Sequence, residues 1–181
     1  MRASEAFDLL SSAIPEGPGV WTDLGAGEGV FTRVLARRLG PQGRVYAIDR
    51  DAAALAAIAS PPGGAPIVTV VGDFTGDFAL PGLGDAPLDG VLMANALHFV
   101  ADPVRLLARL ATRLRHGGHV VVVEYDRREA NRWVPHPIPR ARWAEVTAAA
   151  GLIAPRIAAT RPSEYGGDLY VAAALRPLTG S

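Results

Sequence analysis

The stretch TDLGAGEGVF, residues 22–31, places three glycines within five positions directly after an apolar run. Gly25, Gly27 and Gly29 carry no Cβ, so the chain can turn sharply there and a ligand can pack on the main chain itself. A glycine-rich turn between a strand and a helix is the general nucleotide-binding device of open α/β sheets. The dinucleotide version requires glycine at the sixth position of G-x-G-x-x-G, where the helix packs tightly on the strand. Counting from Gly25, that position is Val30, and the fingerprint fails. What stands instead is D-x-G-x-G-x-G, from Asp23 to Gly29. An acid two residues before the first glycine sits badly against a pyrophosphate. It suits a cationic ligand, such as an amino-acid ammonium or a sulfonium.

Outward from this turn, strands and helices alternate. GVWTDLG (19–25) reads as a buried strand, and the run from Val30 to Leu39 as a helix stopped by Gly40-Pro41. Strands follow at 44–50, 66–73 and 88–95, with a second helix at 51–59 and a loop at 74–87. Asp102 and Pro103 make a helix start, a capping acid followed by proline at the first position. Val104, Leu107, Leu110, Ala111 and Leu114 form its buried face, and Gly117-Gly118 end it. HVVVVEY (119–125) has the unbroken apolar run of a central parallel strand. A Pro-rich segment (126–139) precedes a helix at about 140–150, and two last strands, about 153–160 and 168–175, flank the hairpin-like RPSEYGGD. Ser4 to Ser12 is a short amphipathic helix ahead of all this, broken by Pro15 to Gly19.

This alternation predicts a doubly wound α/β fold: a mostly parallel seven-stranded sheet whose last two strands are antiparallel neighbours at one edge. One domain is expected, with 1–18 as N-terminal helix and linker, 19–125 as the cofactor-binding half and 126–181 as the substrate-side half.

Composition narrows the chemistry. With 181 residues, 49% hydrophobic and 20% charged, the chain suits one globular domain with a substantial core. Its net charge of zero gives no overall electrostatic footprint for nucleic acid. Without cysteine there are no disulfides, thiolate nucleophiles or Cys-based metal sites. All 18 basic residues are arginine, which excludes Schiff-base chemistry and a lysine base. The four histidines lack i, i+4 pairing, so no metal site is expected. The N-terminus has no signal-peptide pattern, and no window holds the roughly 18 apolar residues of a membrane span. The expected compartment is the cytoplasm.

The D-x-G-x-G-x-G turn and the closing hairpin make the chain similar to the class I S-adenosylmethionine-dependent methyltransferases, over roughly residues 19–175. The resemblance implies a Rossmann-like methyltransferase fold, S-adenosyl-L-methionine as cofactor, and transfer of its methyl group. It also implies that Asp23, Gly25, Ala26, Gly27 and Gly29 lie at the aminoacyl end of the cofactor. Asp49, closing the second strand in YAIDR with Arg50 beside it, can accept both ribose hydroxyls. The same carboxylate could instead cap the following helix. Asp73, in VVGDFTGD, stands where the family's acid accepts the adenine amino hydrogen, with Phe74 against the ring. Alone, Gly-Asp would be an ordinary turn. Asn95 would line the cofactor floor.

Family members that modify nucleobase or glutamine nitrogens carry Asn/Asp-Pro-Pro-Tyr/Phe after the fourth strand. Asn95-Ala96-Leu97-His98 lacks that arrangement, and NALHFVADP looks more like the small-molecule branch. His98 suits a catalytic general base near neutral pH, or a cap for the loop or helix that follows. His116 and His119 flank the expected helix stop and read as structural. His136 lies in a Pro-rich loop that could reach the site.

Residues 126–143, with five arginines and two tryptophans, suit a substrate lid or an anion-binding patch, or a solvated loop with Trp143 anchoring the next helix. The expected partner is a small-molecule substrate, with neither membrane nor nucleic acid. The alternatives are an RNA or protein methyltransferase and a non-catalytic cofactor-binding subunit. No cap domain is apparent, so the pocket is open or closed by a partner chain, with a homodimer kept open.

Overall fold

The computed structural model describes residues 3–163 and 166–178. Helix α1 (Ala3–Ser11) leads to β1 (Val20–Leu24), α2 (Val30–Leu39), β2 (Arg44–Asp49), α3 (Ala52–Ala56), β3 (Ile67–Val71) and β4 (Leu88–Ala94). A 3-10 turn at Leu97–Phe99 precedes α4 (Pro103–Arg113) and β5 (Leu114–Tyr125). Then come α5 (Trp143–Ala149), β6 (Ile153–Pro162) and β7 (Asp168–Leu175). Glu164 and Tyr165, in the expected hairpin turn, lie outside the described residues.

The seven strands make one sheet in the order β3-β2-β1-β4-β5-β7-β6. β1 to β5 run parallel, and β7 runs antiparallel to both β5 and β6. Both faces are apolar because both are covered. Val120 and Val122 belong to the cluster packed with Leu107, Leu110 and Trp143 of α4 and α5. Val121 and Val123 belong to the cluster packed with Leu10 and Leu35 of α1 and α2. Alternate side chains of a strand point to opposite faces, so a strand covered twice reads as an unbroken valine run. Among the described residues no helix is long and apolar enough to cross a membrane.

Two local expectations are corrected. The helix expected over 51–59 is only Ala52–Ala56, and its cap is Asp51, whose side chain accepts the Ala53 and Ala54 N–H groups. Asp49 is not the cap: its Oδ1 accepts the Asp51 N–H at 2.9 Å. Nor do Gly117-Gly118 end α4, which stops at Arg113 as Leu114 turns extended and opens β5. Leu114 pairs with Leu88 and His119 with Gly90, so β5 bulges between them. Gly117 supplies the positive φ (72°) for that bulge and donates its N–H to the Arg176 carbonyl. His116 and His119 therefore lie on a strand, where the His119 ring stacks on Trp21 at 5.9 Å.

Candidate active site

In an open α/β sheet, ligands bind beyond the carboxyl ends of the strands, where the strand order reverses. Here that point lies between β1 and β4, and three cavities meet there. The first, about 340 Å³, is bounded by the glycine loop, Ala94, Tyr125 and Leu169. Glu5 of α1 and Arg161 of β6, an ion pair at 3.2 Å, also form its wall. The second, about 170 Å³, lies among Gly25, Asp49, Arg50, Phe74, Ala96 and Phe99. The third, about 560 Å³, is walled by His98, Phe99, Tyr125, Arg127 and Trp133. Asn95 is part of all three walls.

Asn95 follows β4 with φ of 53°, a left-handed conformation that asparagine adopts more readily than most residues. Its N–H donates to the Val123 carbonyl at 2.8 Å, which ties the turn to β5. Its side-chain Oδ1 is buried with no donor among the described residues. A left-handed residue with an unpartnered buried oxygen thus stands in the walls of all three cavities.

The glycine loop is held from β2. The Gly25 and Ala26 N–H groups both donate to the Ile48 carbonyl, and the Gly27 N–H donates to Asp49 Oδ2 at 2.8 Å. The glycines differ in purpose. A Cβ on Gly25 or Gly29 would stand 2.7 Å from Ala96 or Ile58 respectively, so those two permit packing. A Cβ on Gly27 would meet nothing within 4 Å and would project into open space.

The acids of the sequence are not equivalent. Asp49 faces the second cavity with both oxygens already ordered by backbone N–H groups. Asp73 is exposed at the rim and forms no part of that cavity's wall. Its Oδ1 takes both the N–H and the hydroxyl of Thr75, which lowers its pKa, and Arg50 stands 3.7 Å from Oδ2. Asp23 lines none of the three cavities. It is buried below the loop, where Thr32 of α2 donates its hydroxyl to Oδ2 at 2.6 Å. Burial raises its pKa to about 7, against the opposing effect of the Thr32 bond, and the Asp49 charge adds to the rise.

His98 is buried in the 3-10 turn, with Nδ1 2.6 Å from Oε2 of Glu124 on β5. Glu124 Oε1 accepts the N–H groups of Leu97 and His98, at 2.9 and 3.2 Å. No motif marks Glu124. The available signal is one acid directly after the valine run of a central strand, since a buried carboxylate needs partners. His136 gives its backbone N–H to the His98 carbonyl and is itself exposed.

The 126–143 segment is largely exposed and is anchored at a few points. Val134 and Ile138 are buried, and Arg140 pairs with Asp126 at 2.9 Å to tie its ends together. Trp143 anchors α5 by donating Nε1–H to the Ala173 carbonyl.

A reversed-order parallel sheet with a glycine loop and an acid closing the neighbouring strand defines an α/β protein that binds a nucleoside-bearing cofactor. Residues 22–122 match the family model described as a methyltransferase domain, and the chain belongs to that family, the class I S-adenosylmethionine-dependent methyltransferases. S-Adenosylmethionine is the cofactor of the class.

The chain is 48% identical over 56 residues to the ribosomal RNA small subunit methyltransferase H of Verminephrobacter eiseniae, covering 31% of this chain and 17% of that one. It is 32% identical over 117 residues to an uncharacterized methyltransferase of Mycobacterium bovis, covering 65% and 56% of the two chains. The chain thus spans little more than half of the mycobacterial relative and far less of the ribosomal one. The crystal structure of the YcgJ protein from Bacillus subtilis superposes with a TM-score of 0.72 at 12% identity, over 96% of this chain and 99% of that one. That likeness shows the Rossmann-like methyltransferase fold.

Proposed function

We propose that this chain transfers a methyl group from S-adenosylmethionine to a small-molecule acceptor. The carrying observation is the position of Asn95, in the walls of a glycine-loop cavity, a strand-tip cavity and a larger aromatic one. An elongated cofactor laid across the first two would reach the third at Asn95.

The residues fit that cofactor. The open space at Gly27 admits the methionine portion against the backbone, where a side chain would obstruct it. Asp49 retains lone pairs for the ribose hydroxyls, and Phe74 would lie against the adenine in the second cavity. Asp73 would act from the rim. Asn95 Oδ1 would accept a donor from the ligand. Asp23 would act through the loop, by fixing the first turn of α2 through Thr32.

When bound, S-adenosylmethionine supplies a methyl carbon on a positively charged sulfur, open to in-line displacement. The protein's part is to hold the acceptor in line and to exclude water, and positioning of that kind supplies much of the acceleration.

Calorimetry tests this with S-adenosylhomocysteine and NAD. Single-site binding of the first without the second is expected, and the reverse result rejects the proposal. A metabolite screen with isotopically labelled cofactor then identifies the acceptor. The match to a ribosomal RNA enzyme favours RNA as a second reading. A salt-dependent complex with RNA would support it.

A further inference from the structure

Resting on the methyl-transfer reading, we infer that the third cavity receives a planar aromatic acceptor bearing a hydroxyl and an anionic substituent. His98 Nε2 takes the hydroxyl proton, and Glu124 positions the imidazole.

The cavity, at about 560 Å³, has the size of a small-molecule site. At its wall stand two large rings left in water, Phe99 at 52% and Trp133 at 68% exposure. Neither is a loose side chain. Trp133 is carried by a turn in which Asn131 Oδ1 accepts the Trp133 and Val134 N–H groups, both at 2.8 Å, with Val134 buried beneath. Phe99 rests on the His98 ring at 4.4 Å. Two fixed aromatic faces on one cavity select a flat ring, which stacks where a puckered one does not.

The polar groups are as selective. Arg127 is half-buried in the same wall and pairs with no acid among the described residues. A guanidinium that makes no ion pair among the described residues favours an anionic substituent.

His98 supplies the chemistry. Every hydrogen bond at Glu124 has the carboxylate as acceptor: two backbone N–H groups fix one oxygen and His98 Nδ1–H meets the other. This places the imidazole proton on Nδ1 and leaves Nε2 as an acceptor, with no partner among the described residues. In the transfer, an oxygen lone pair forms the new O–C bond and the S–C bond pair stays with sulfur. The O–H pair stays on oxygen as the proton passes to Nε2. The resulting imidazolium lies against the Glu124 carboxylate.

The test uses the intact protein, with and without S-adenosylhomocysteine, and three probes: 4-hydroxybenzoate, benzoate and 4-hydroxycyclohexanecarboxylate. Tryptophan fluorescence and calorimetry should show 4-hydroxybenzoate binding about tenfold tighter than the saturated analogue, the share of one aromatic stacking contact. Trp133→Ala and Arg127→Ala should each weaken it with an unchanged melting temperature. Nitrogen NMR, with the His98 signals assigned through His98→Gln, should show the Nδ1-protonated tautomer. In Glu124→Gln the side-chain amide donates to Nδ1, so the proton should move to Nε2.

Failure of all three probes, equal binding of the flat and puckered rings, or an Nε2-protonated native imidazole overturns the inference. If S-adenosylhomocysteine binds and 4-hydroxybenzoate does not, this inference alone fails. If 4-hydroxybenzoate binds and S-adenosylhomocysteine does not, the methyl-transfer reading fails and the cavity assignment stands.

Discussion

Gly25 lies so close to Ala96 that a Cβ built on the glycine would stand 2.7 Å from the Cβ of the alanine. The loop after β1 and the turn after β4 are thus packed closely together, Gly25 lying in the walls of the first two cavities and Ala96 in that of the second.

Alanine at Gly25 and at Gly27 should therefore fail differently. Both positions have positive φ, 78° and 51°, and a left-handed alanine costs about 1–2 kcal/mol. Gly25→Ala adds the clash with Ala96 and should lower stability further. Gly27→Ala should stay folded and lose affinity for S-adenosylhomocysteine, because its methyl group enters open cavity. Thermal melts beside calorimetry distinguish the two, and equal behaviour would contradict the different purposes assigned to them.

Asp49→Asn should weaken cofactor binding by about 1–3 kcal/mol, the range for hydrogen-bond partners left unpaired. It should also loosen the glycine loop, because Gly27 N–H donates to this carboxylate. Amide exchange at Gly27 would rise. Unchanged affinity with faster exchange would reduce Asp49 to a loop support.

Asn95→Gly should make the protein more stable and a poorer binder. It removes the left-handed strain at φ 53° and the orphaned Oδ1 together. A gain of up to about 1 kcal/mol is expected, the greater freedom of glycine in the unfolded chain offsetting part of the relief. A stability loss on urea titration would show that Oδ1 is satisfied in the free protein.

The pH dependence of stability should carry the mark of Asp23. Unfolded, its carboxyl releases its proton near the usual 3.8; folded, near 7. Between those values the folded state holds the extra proton, so stability falls as pH rises and levels off above about 7. The full penalty is on the order of 4 kcal/mol. Asp23→Asn is neutral throughout, so its melting temperature relative to the native protein should climb with pH across that window. Parallel curves for the two proteins would place the titration elsewhere.

Much of the sheet was legible because its signals are local. The valine run of β5 states that both faces are covered, and Asp102-Pro103 states where α4 begins. What misled was also local. Gly117-Gly118 has the form of a helix stop, yet its shape is set by pairing with Leu88, Gly90 and Arg176, from other parts of the chain. The glycine loop and Asp49 could be placed together at one sheet edge because a loop and a strand tip are contiguous features. Glu124 could not, because its meaning depends on meeting His98 across two strands. Glu5 and Arg161 are further examples: a cavity wall shared by the first helix and the sixth strand has no spacing to read.

The place of β7 between β5 and β6 has a consequence for assembly. A chain emerging from the ribosome makes β6 before β7, yet β6 has no neighbour in the sheet until β7 lies down against β5. Arg161, Pro162 and Leu169, all on this pair of strands, form part of the glycine-loop cavity. During synthesis the half of the molecule that ends at β5 can therefore collapse early, while that cavity waits for the last strand. Cofactor-binding competence would then appear late and abruptly, as a report that the sheet has closed.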